Sequence, residues 1–279
     1  MTEIALLPNR AVLEIAGEDR VSFLQGLVSN DVAKVGPGRA IWAALLTAQG
    51  KWLADFFILA DADRLLLDVE ETHRDLLIKL LTRYRLRAKV TFSRLDLPVY
   101  AAWPTNDGST PDTPLQAPDP RLPEAGWRIL GDVTPTTTDA AYDTHRLALG
   151  LPDGSRDLES EKSTLVESGF DELHGIDWAK GCYMGQELTA RTKYRGLVKR
   201  RLVAVTVEGP LPPAGTPIFD GDLECGTIRS GRQNDGKGRA LATLRLDAIR
   251  AKTLTCAEAT LTPAPSPWLS PSLQEKLPA

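Results

Sequence analysis

Cysteine is scarce in this chain, and long apolar runs and an excess of one charge are missing. The 279 residues include three cysteines, and the wide spacing of Cys182, Cys225 and Cys256 excludes a disulfide scaffold and a paired-cysteine metal site. No run of about 18 apolar residues is present that could span a membrane. Lys and Arg number 33 against 37 Asp and Glu, a net charge of -4. The total charge therefore does not indicate binding to nucleic acid or to an anionic membrane.

Motifs for metal and nucleotide chemistry are also missing. His73, His145 and His174 are scattered, with neither HxxxH nor Cys-His spacing, so no metal site is predicted. There is no Walker loop, GxGxxG fingerprint or GxSxG elbow. Pro8 and Arg10 fall where a secretory signal needs an unbroken apolar stretch. With the low cysteine content, these features predict a cytoplasmic protein with no membrane association and no direct nucleic-acid partner.

What is present is typical of a folded protein, with 42% hydrophobic and 25% charged residues. The hydrophobic pattern predicts strands at 11–16, 65–69 and 88–95, a hairpin within 40–60, and helices at 18–28 and 71–84. Antiparallel strands mixed with helices indicate an α+β fold. Residues 1–100 are predicted to form the first subdomain.

The remaining chain is predicted to form a second α+β subdomain, a barrel and a tail. Six of the 20 prolines lie between Pro104 and Pro123, which predicts a long surface loop. The middle subdomain, 101–200, contains a strand at 127–130, a helix at 139–149 and an acidic segment at 153–177. Short strands separated by turns predict a small antiparallel barrel at 201–262 and a loosely held proline-rich tail at 263–279.

One segment, KGCYMGQELTAR at 180–191, departs from ordinary core and turn patterns. Its glycines would let a ligand approach the backbone, and a helix beginning near Gly185 would direct free N–H groups and a positive dipole end towards that ligand. Beside Lys180, Cys182 would have a lowered pKa and more thiolate character. The alternative is that Cys182 is a small buried apolar residue, as most free cysteines are.

Two basic runs contrast with the negative net charge. They contain Lys79, Arg83, Arg85, Arg87, Lys89 and Arg94, and Arg191, Lys193, Arg195, Lys199, Arg200 and Arg201. Such runs suit a ligand that carries phosphate or several carboxylates. The simpler interpretation of each run is a solvated face.

Three carboxylates are candidates for a complementary role. Asp55 interrupts the apolar run WLADFFILA, where a carboxylate must be paired, hydrogen-bonded or functional unless it faces solvent. Glu167 and Asp171 lie in the acidic segment, where solvated surface is the default.

The segment KGCYMGQELTAR resembles the signature of the YgfZ family of folate-binding proteins. This family is related to the aminomethyltransferase of glycine cleavage and to mitochondrial iron-sulfur assembly proteins, and the longer string KGCYMGQELTARTKYRGLVKRRL is especially similar to the mitochondrial branch. Further segments agree in order, namely DRVSFLQGLVSNDV, LLTAQGKWLADFFIL, YRLRAKV, DPRLPEAGWRIL and HRLALGLPDG. The resemblance extends from about residue 10 to residue 250.

The resemblance implies an aminomethyltransferase (GcvT)-like folate-binding fold, a ring of three subdomains with a C-terminal antiparallel β-barrel. It implies tetrahydrofolate as the ligand and a role in iron-sulfur cluster assembly or repair that affects cluster-dependent enzymes, such as those that modify tRNA. The implied partners are iron-sulfur assembly factors or client enzymes, which would bind transiently.

The resemblance also assigns residues. Cys182 becomes the functional thiol, and Asp55 resembles the acidic residue with which aminomethyltransferases contact folate and the reacting aminomethyl group. Glu167 resembles their pterin-binding carboxylate, although the usual preceding proline is absent, and Arg191 or its neighbours would bind the glutamate tail. The implied folate contacts are Glu167, Lys180, Gly181, Tyr183, Gly185, Gln186, Glu187 and Arg191.

Two functions are therefore considered. The first is a folate-binding accessory protein of iron-sulfur assembly that uses Cys182. The second is a tetrahydrofolate-dependent aminomethyltransferase that uses Asp55. The sequence favours the first, because the transferase relatives do not need the cysteine of the motif.

Overall fold

The computed structural model describes residues 2–104, 113, 115–234, 237–264, 266 and 268–269. The chain divides into two compact units. The first unit comprises Met1–Tyr142 and Leu173–Leu188, and the second comprises Asp143–Glu172 and Thr189–Ala279. The range 101–200, predicted as one middle subdomain, is thus shared between the two units. The ring of three subdomains stays a prediction.

The first unit contains a five-stranded antiparallel sheet and two helices. In chain order its elements are β1 (Thr2–Leu6), β2 (Arg10–Ala16), α1 (Arg20–Gln25), β3 (Ile41–Leu46), β4 (Trp52–Asp61), β5 (Arg64–Glu70), α2 (Arg74–Arg85) and β6 (Thr91–Leu95). The sheet order is β3-β4-β5-β2-β6. The hairpin, strands and helices predicted for residues 11–95 are present.

Both faces of this sheet are buried, which explains the nearly continuous apolar runs of β3 and β4. Side chains on one face, including Leu45, Phe56 and Leu67, form the main core with α1 and α2. The alternate residues, such as Trp42 and Asp55, point to the opposite face because side chains alternate along a strand. The position of Asp55 in the sequence therefore places a carboxylate on a buried face.

A second sheet of the first unit consists of β1, β7 (Val99–Pro104), β9 (Trp127–Leu130) and β8 (Gln116–Pro118), in that order. β7 crosses the boundary predicted at residue 100. The surface loop predicted between Pro104 and Pro123 is wrong for residues 116–121, because β8 forms an edge strand, where proline is tolerated, and Asp119 and Arg121 are buried. The prediction for 105–112 and 114 lies outside the described residues.

The second unit is built on the predicted barrel, which closes in the order β10-β13-β12-β11-β14-β15. Its strands are β10 (Arg200–Glu208), β11 (Pro217–Asp220), β12 (Leu223–Asn234), β13 (Lys237–Arg245), β14 (Leu254–Cys256) and β15 (Ala259–Ala264). Closure pairs every edge, which removes the exposed strand edges of an open sheet. The α+β class with a C-terminal antiparallel barrel is confirmed.

Two further helices, α3 (Asp139–Leu149) and α4 (Gln186–Tyr194), each cross a division between the units. The loosely held tail predicted from residue 263 is wrong for its described part, since Leu269 is buried and the Trp268 indole N–H donates to the Leu149 carbonyl at 2.9 Å. None of the described helices is long and apolar enough to cross a membrane.

Candidate functional site at the Cys182 loop

Residues 177–185, here called the Cys182 loop, begin with a carboxylate that organises the turn. Asp177 Oδ1 accepts hydrogen bonds from the backbone N–H groups of Ala179 at 2.8 Å and Lys180 at 3.1 Å. Its other oxygen pairs with Lys34. Burial would raise the pKa of Asp177, but the Lys34 and backbone hydrogen bonds outweigh burial and hold it below its usual range. The loop therefore starts from a charged, fixed carboxylate.

Lys180 fastens the middle of the loop to the end of helix α1. Its Nζ donates to the carbonyl oxygens of Gln25, Val28 and Asn30 at 2.8, 2.5 and 3.0 Å. Burial lowers the pKa of Lys180 to about 8. An ammonium has three protons to donate, so the three carbonyls account for all of them. The structure gives Lys180 an anchoring role, and its contact with folate stays a prediction.

The loop ends where α4 begins, at Gln186, next to the Gly185 at which the sequence predicts a helix start. Gln186 Oε1 accepts from the Tyr183 N–H at 3.0 Å, so the first residue of the helix is bound back to the loop. Gly185 has φ +81°, and a Cβ there would lie 2.5 Å from the Thr47 carbonyl oxygen. Only glycine fits this close approach. Tyr183 is buried, whereas Glu187 is exposed.

Cys182 is exposed on this anchored loop, so the small buried alternative is wrong for it. Gly181 beside it is exposed too, and a Cβ at Gly181 would meet no atom within 4 Å. Cys225 and Cys256 are buried, and burial raises the pKa of both thiols. Cys182 is thus the accessible thiol among the three cysteines.

Asp55 forms a second polar centre of the first unit, on the buried face of β4. Its carboxylate accepts from the indole N–H of Trp42 at 2.9 Å and from that of Trp52 at 3.1 Å. Asp55 is 5% exposed. The solvent-facing alternative is therefore wrong, and the carboxylate is hydrogen-bonded inside the protein.

A buried arginine that the sequence analysis missed packs on the same face. The Arg121 guanidinium lies 5.4 Å from the Trp42 ring centre and 4.9 Å from that of Phe57. It forms two hydrogen bonds with Asp119, from Nε at 3.0 Å and from Nη2 at 2.8 Å. Both residues lie in the string DPRLPEAGWRIL, and an acidic and a basic residue two positions apart within an apolar and proline-rich stretch could have indicated a buried pair.

Glu167 belongs to the second unit, and its carboxylate holds the start of the barrel. Oε1 accepts from the backbone N–H groups of Lys199 at 3.1 Å and Arg200 at 3.2 Å, and Oε2 accepts from the Thr164 hydroxyl at 2.9 Å. Three donors within the protein already occupy this carboxylate. The pterin contact predicted for Glu167 stays a prediction.

Ion pairs within the protein neutralise part of both basic runs. Arg201 is buried and pairs with Glu172, and Lys193 pairs with Asp171. Lys89 and Arg94 pair with Glu18 and Asp75. Arg191 is exposed on α4. The number of cations open to an anionic ligand is therefore smaller than the sequence predicts.

Comparison with known proteins shows the family. Residues 199–271 match the domain described as CAF17, C-terminal beta-barrel domain. The iron-sulfur cluster assembly factor IBA57 of Mus musculus is 32% identical over 88% of this chain and 78% of its own length. The Homo sapiens protein is 31% identical over 82% and 75%. The chain belongs to the IBA57 family of iron-sulfur cluster assembly factors.

Other members of the IBA57 family are longer. The Mycosarcoma maydis homolog is 34% identical over 78% of this chain, which covers 61% of that relative, and the Neurospora crassa homolog is covered over 57% of its length. All of these relatives are described as mitochondrial. The cytoplasmic location predicted from the sequence is therefore wrong.

A solved structure confirms the fold. The glycine cleavage system aminomethyltransferase T of Bartonella henselae superposes with a TM-score of 0.76, at 16% identity, over 96% of this chain and 86% of that protein. The aminomethyltransferase-like fold implied by the sequence resemblance is thus confirmed.

Proposed function

We propose that this chain is an accessory protein of iron-sulfur cluster assembly or repair and that Cys182 is its functional thiol. Membership of the IBA57 family supports the role. The observation that carries the proposal is an exposed cysteine on a loop whose lysine is bound to three carbonyls. A buried structural cysteine would need no such anchoring.

The proposed thiol acts together with a partner. Protein iron-sulfur clusters are held by four ligands, mostly cysteines. Cys182 would supply a single one of these ligands. Within the described part of the chain no group of three or more His, Cys, Asp and Glu side chains is placed to hold a metal ion. Cys182 therefore contacts a cluster transiently, while an assembly factor or client enzyme supplies the other ligands. The clients would include cluster-dependent enzymes such as those that modify tRNA.

Tetrahydrofolate is proposed as the ligand, and the first unit offers chemistry that suits it. A pterin ring presents N–H donors to a carboxylate and a flat face to aromatic rings. Asp55, oriented by Trp42 and Trp52, provides such a carboxylate. It is proposed ahead of Glu167 because Glu167 accepts from two backbone N–H groups and the Thr164 hydroxyl, whereas each Asp55 oxygen accepts from one indole N–H. Asp55 would orient the bound folate.

Substitution of the thiol tests the proposed role. In cells whose cluster-dependent enzyme activity relies on this chain, Cys182→Ala is expected to abolish that activity and to leave tetrahydrofolate binding nearly intact. Cys256→Ala, at a buried cysteine, is the matched control and is expected to retain the activity of the cluster-dependent enzyme. Full support by Cys182→Ala would contradict a functional thiol.

The second candidate is a tetrahydrofolate-dependent aminomethyltransferase. Two observations favour it, namely the hydrogen-bonded Asp55 and the fold shared with aminomethyltransferase T. In this function Asp55 would orient the reacting amine. If the purified protein moved one-carbon units from glycine or a methylated amine to tetrahydrofolate, and Asp55→Asn stopped the transfer, the enzyme function would replace the first proposal.

A folate titration separates the ligand from the reaction. Binding near Asp55 would change the emission of Trp42 and Trp52, so tetrahydrofolate is added while tryptophan fluorescence is followed, and a glutamate-free pterin serves as the comparison. A saturable change with tetrahydrofolate is expected, and Asp55→Asn is expected to keep cluster-enzyme support in cells. No change with either ligand would contradict a folate site.

A further inference from the structure

Helix α2 ends in a tight turn with an unusual residue at its corner. The Ala88 N–H donates to the Arg85 carbonyl at 2.8 Å and closes a four-residue turn. Leu86, the first central residue, has φ 45° and ψ -108°. These angles are those of the first central residue of a type II′ turn, a position usually taken by glycine. Leucine there is strained.

The Leu86 side chain buries almost no apolar surface in the folded chain. Leu86 is 89% exposed, the largest value among the exposed large apolar side chains of the described residues. An apolar side chain that is both strained and solvated lowers stability, since it buries no surface in return. Strained residues of this kind cluster at functional sites. The folded chain itself thus gives no reason for a leucine at this position.

Three arginines surround Leu86. Arg83, Arg85 and Arg87 are exposed, and none of them forms an ion pair with any residue that the structure describes. Their neighbours in the same basic run, Lys89 and Arg94, are paired with carboxylates of the protein. Residues 83–87, here called the Leu86 tip, thus combine one apolar side chain with three unneutralised guanidinium groups.

We propose that the Leu86 tip is a docking site for an acidic protein partner, with Leu86 inserted in an apolar pocket and the three arginines paired with carboxylates. Guanidinium groups bind carboxylates through two parallel hydrogen bonds, which fixes the orientation of a partner. Arginine is enriched at protein interfaces for this reason. The inference rests on the proposed function, because the partner is the protein that receives or delivers the cluster.

A chain of contacts through helix α1 links the tip to the Cys182 loop and supports this partner. Helix α1 connects them, since its N-cap residue Asp19 accepts from the Lys89 N–H at 2.7 Å. At the other end, Lys180 Nζ and the Met184 N–H bind the carbonyls of Gln25 and Gly26. Six residues of helix span about 9 Å. The helix contributes about 9 Å to the separation, which is small against the width of an ordinary protein interface.

Other macromolecules fit the tip less well. Binding in a membrane surface needs a row of apolar side chains along a helix, and the tip offers a single leucine. Recognition of single-stranded nucleic acid uses exposed aromatic rings for stacking, and Tyr84 is half-buried.

Leu86→Gly separates docking from folding. Glycine fits the turn, so the variant is expected to keep or raise the melting temperature, whereas support of the cluster-dependent enzyme in cells is expected to fall at least tenfold. Arg85→Gln combined with Arg87→Gln is expected to have the same effect. Leu223→Gly, at an exposed leucine of the barrel, is the matched control and is expected to be neutral.

The outcomes distinguish this inference from the proposed function. Loss of support in Cys182→Ala together with full support in both tip variants would overturn the docking site and leave the thiol role standing. Full support in Cys182→Ala would overturn the proposed function itself. If Leu86→Gly proved less stable than the wild type, the arginine variant, which leaves the turn unchanged, would show whether loss of enzyme activity in cells comes from lost docking.

A binding assay tests the chemistry of the partner. The probe is a fluorescent synthetic peptide of about twelve residues, with leucines four positions apart among glutamates, added to the full chain at low salt. Its affinity is expected to fall at least fivefold in both tip variants and to stay unchanged in Leu223→Gly. Equal affinity for all variants would overturn the inference, as would tighter Leu86-dependent binding of phosphatidylglycerol vesicles or an RNA oligomer.

Discussion

At the scale of single residues, a few side chains decide how the candidate site is held. Lys180, adjacent to the exposed Cys182, binds three carbonyls of one neighbouring segment. Arg121 forms hydrogen bonds with Asp119 and packs on Trp42, whose indole N–H donates to Asp55. Both residues place a cation where backbone or carboxylate oxygens need a donor, so removal of either leaves polar groups without a partner.

Lys180→Met is expected to loosen the Cys182 loop while preserving its apolar stem. Hydrogen bonds from a charged donor contribute about 1.5–3 kcal/mol each when buried, and less here because water can replace the donor at a half-buried loop. We expect the free energy of unfolding to fall by about 1–3 kcal/mol and Cys182 to react faster with a maleimide. Urea unfolding and alkylation kinetics measure these effects, and unchanged alkylation would contradict the anchoring role.

Asp119→Asn is expected to lower the free energy of unfolding by about 3–5 kcal/mol at pH 7, because Arg121 would keep a buried charge without its carboxylate. Burial alone would raise the pKa of Asp119, but the charges of Arg121 and Arg128 and the Arg121 hydrogen bonds outweigh it and hold it below its usual range.

The lowered pKa of Asp119 also sets a pH dependence. Its contribution to stability is complete above the unfolded pKa of about 3.9 and is lost as pH falls through the lower folded value. The free energy of unfolding of the wild type, measured in urea, should therefore fall below pH 4. The difference in this free energy between the wild type and Asp119→Asn should shrink there. A constant difference between pH 7 and pH 3 would contradict the buried ion pair.

At the scale of elements, the sequence predicts the strands and helices whose apolar pattern is strong. The hairpin of β3 and β4, the helix at Asp139–Leu149 and the barrel strands are confirmed. β1, β7 and β8 were missed, since β1 and β8 are short edge strands and prolines around β8 hide the pattern. The buried Arg121 was missed for a different reason, because periodicity does not show which charged side chains are buried in pairs.

The two glycines of the Cys182 loop, Gly185 and Gly181, allow a matched pair of substitutions. Gly185→Ala would place a Cβ 2.5 Å from the Thr47 carbonyl oxygen at φ +81°, and we expect a loss of about 2 kcal/mol or more. Gly181→Ala meets no neighbouring atom within 4 Å and should change stability by less than about 0.5 kcal/mol. Thermal unfolding of both variants checks this, and equal effects would contradict the described loop geometry.

At the scale of the whole molecule, the chain does not divide in sequence order. Leu173–Leu188 belong to the first unit, although residues before and after them belong to the second. Local patterns cannot predict such a return, because they report the element and not its neighbours in space. The motif 180–191 identified the family, whereas the anchoring of its loop by Lys180 required the structure.

The central claim, that Cys182 is the functional thiol of an iron-sulfur assembly protein, is tested most directly in cells. The activity of one cluster-dependent enzyme is measured in cells that produce wild type, Cys182→Ala or Cys256→Ala at equal protein levels. We predict that activity is lost with Cys182→Ala and retained with Cys256→Ala. Equal activity in all three would contradict the claim.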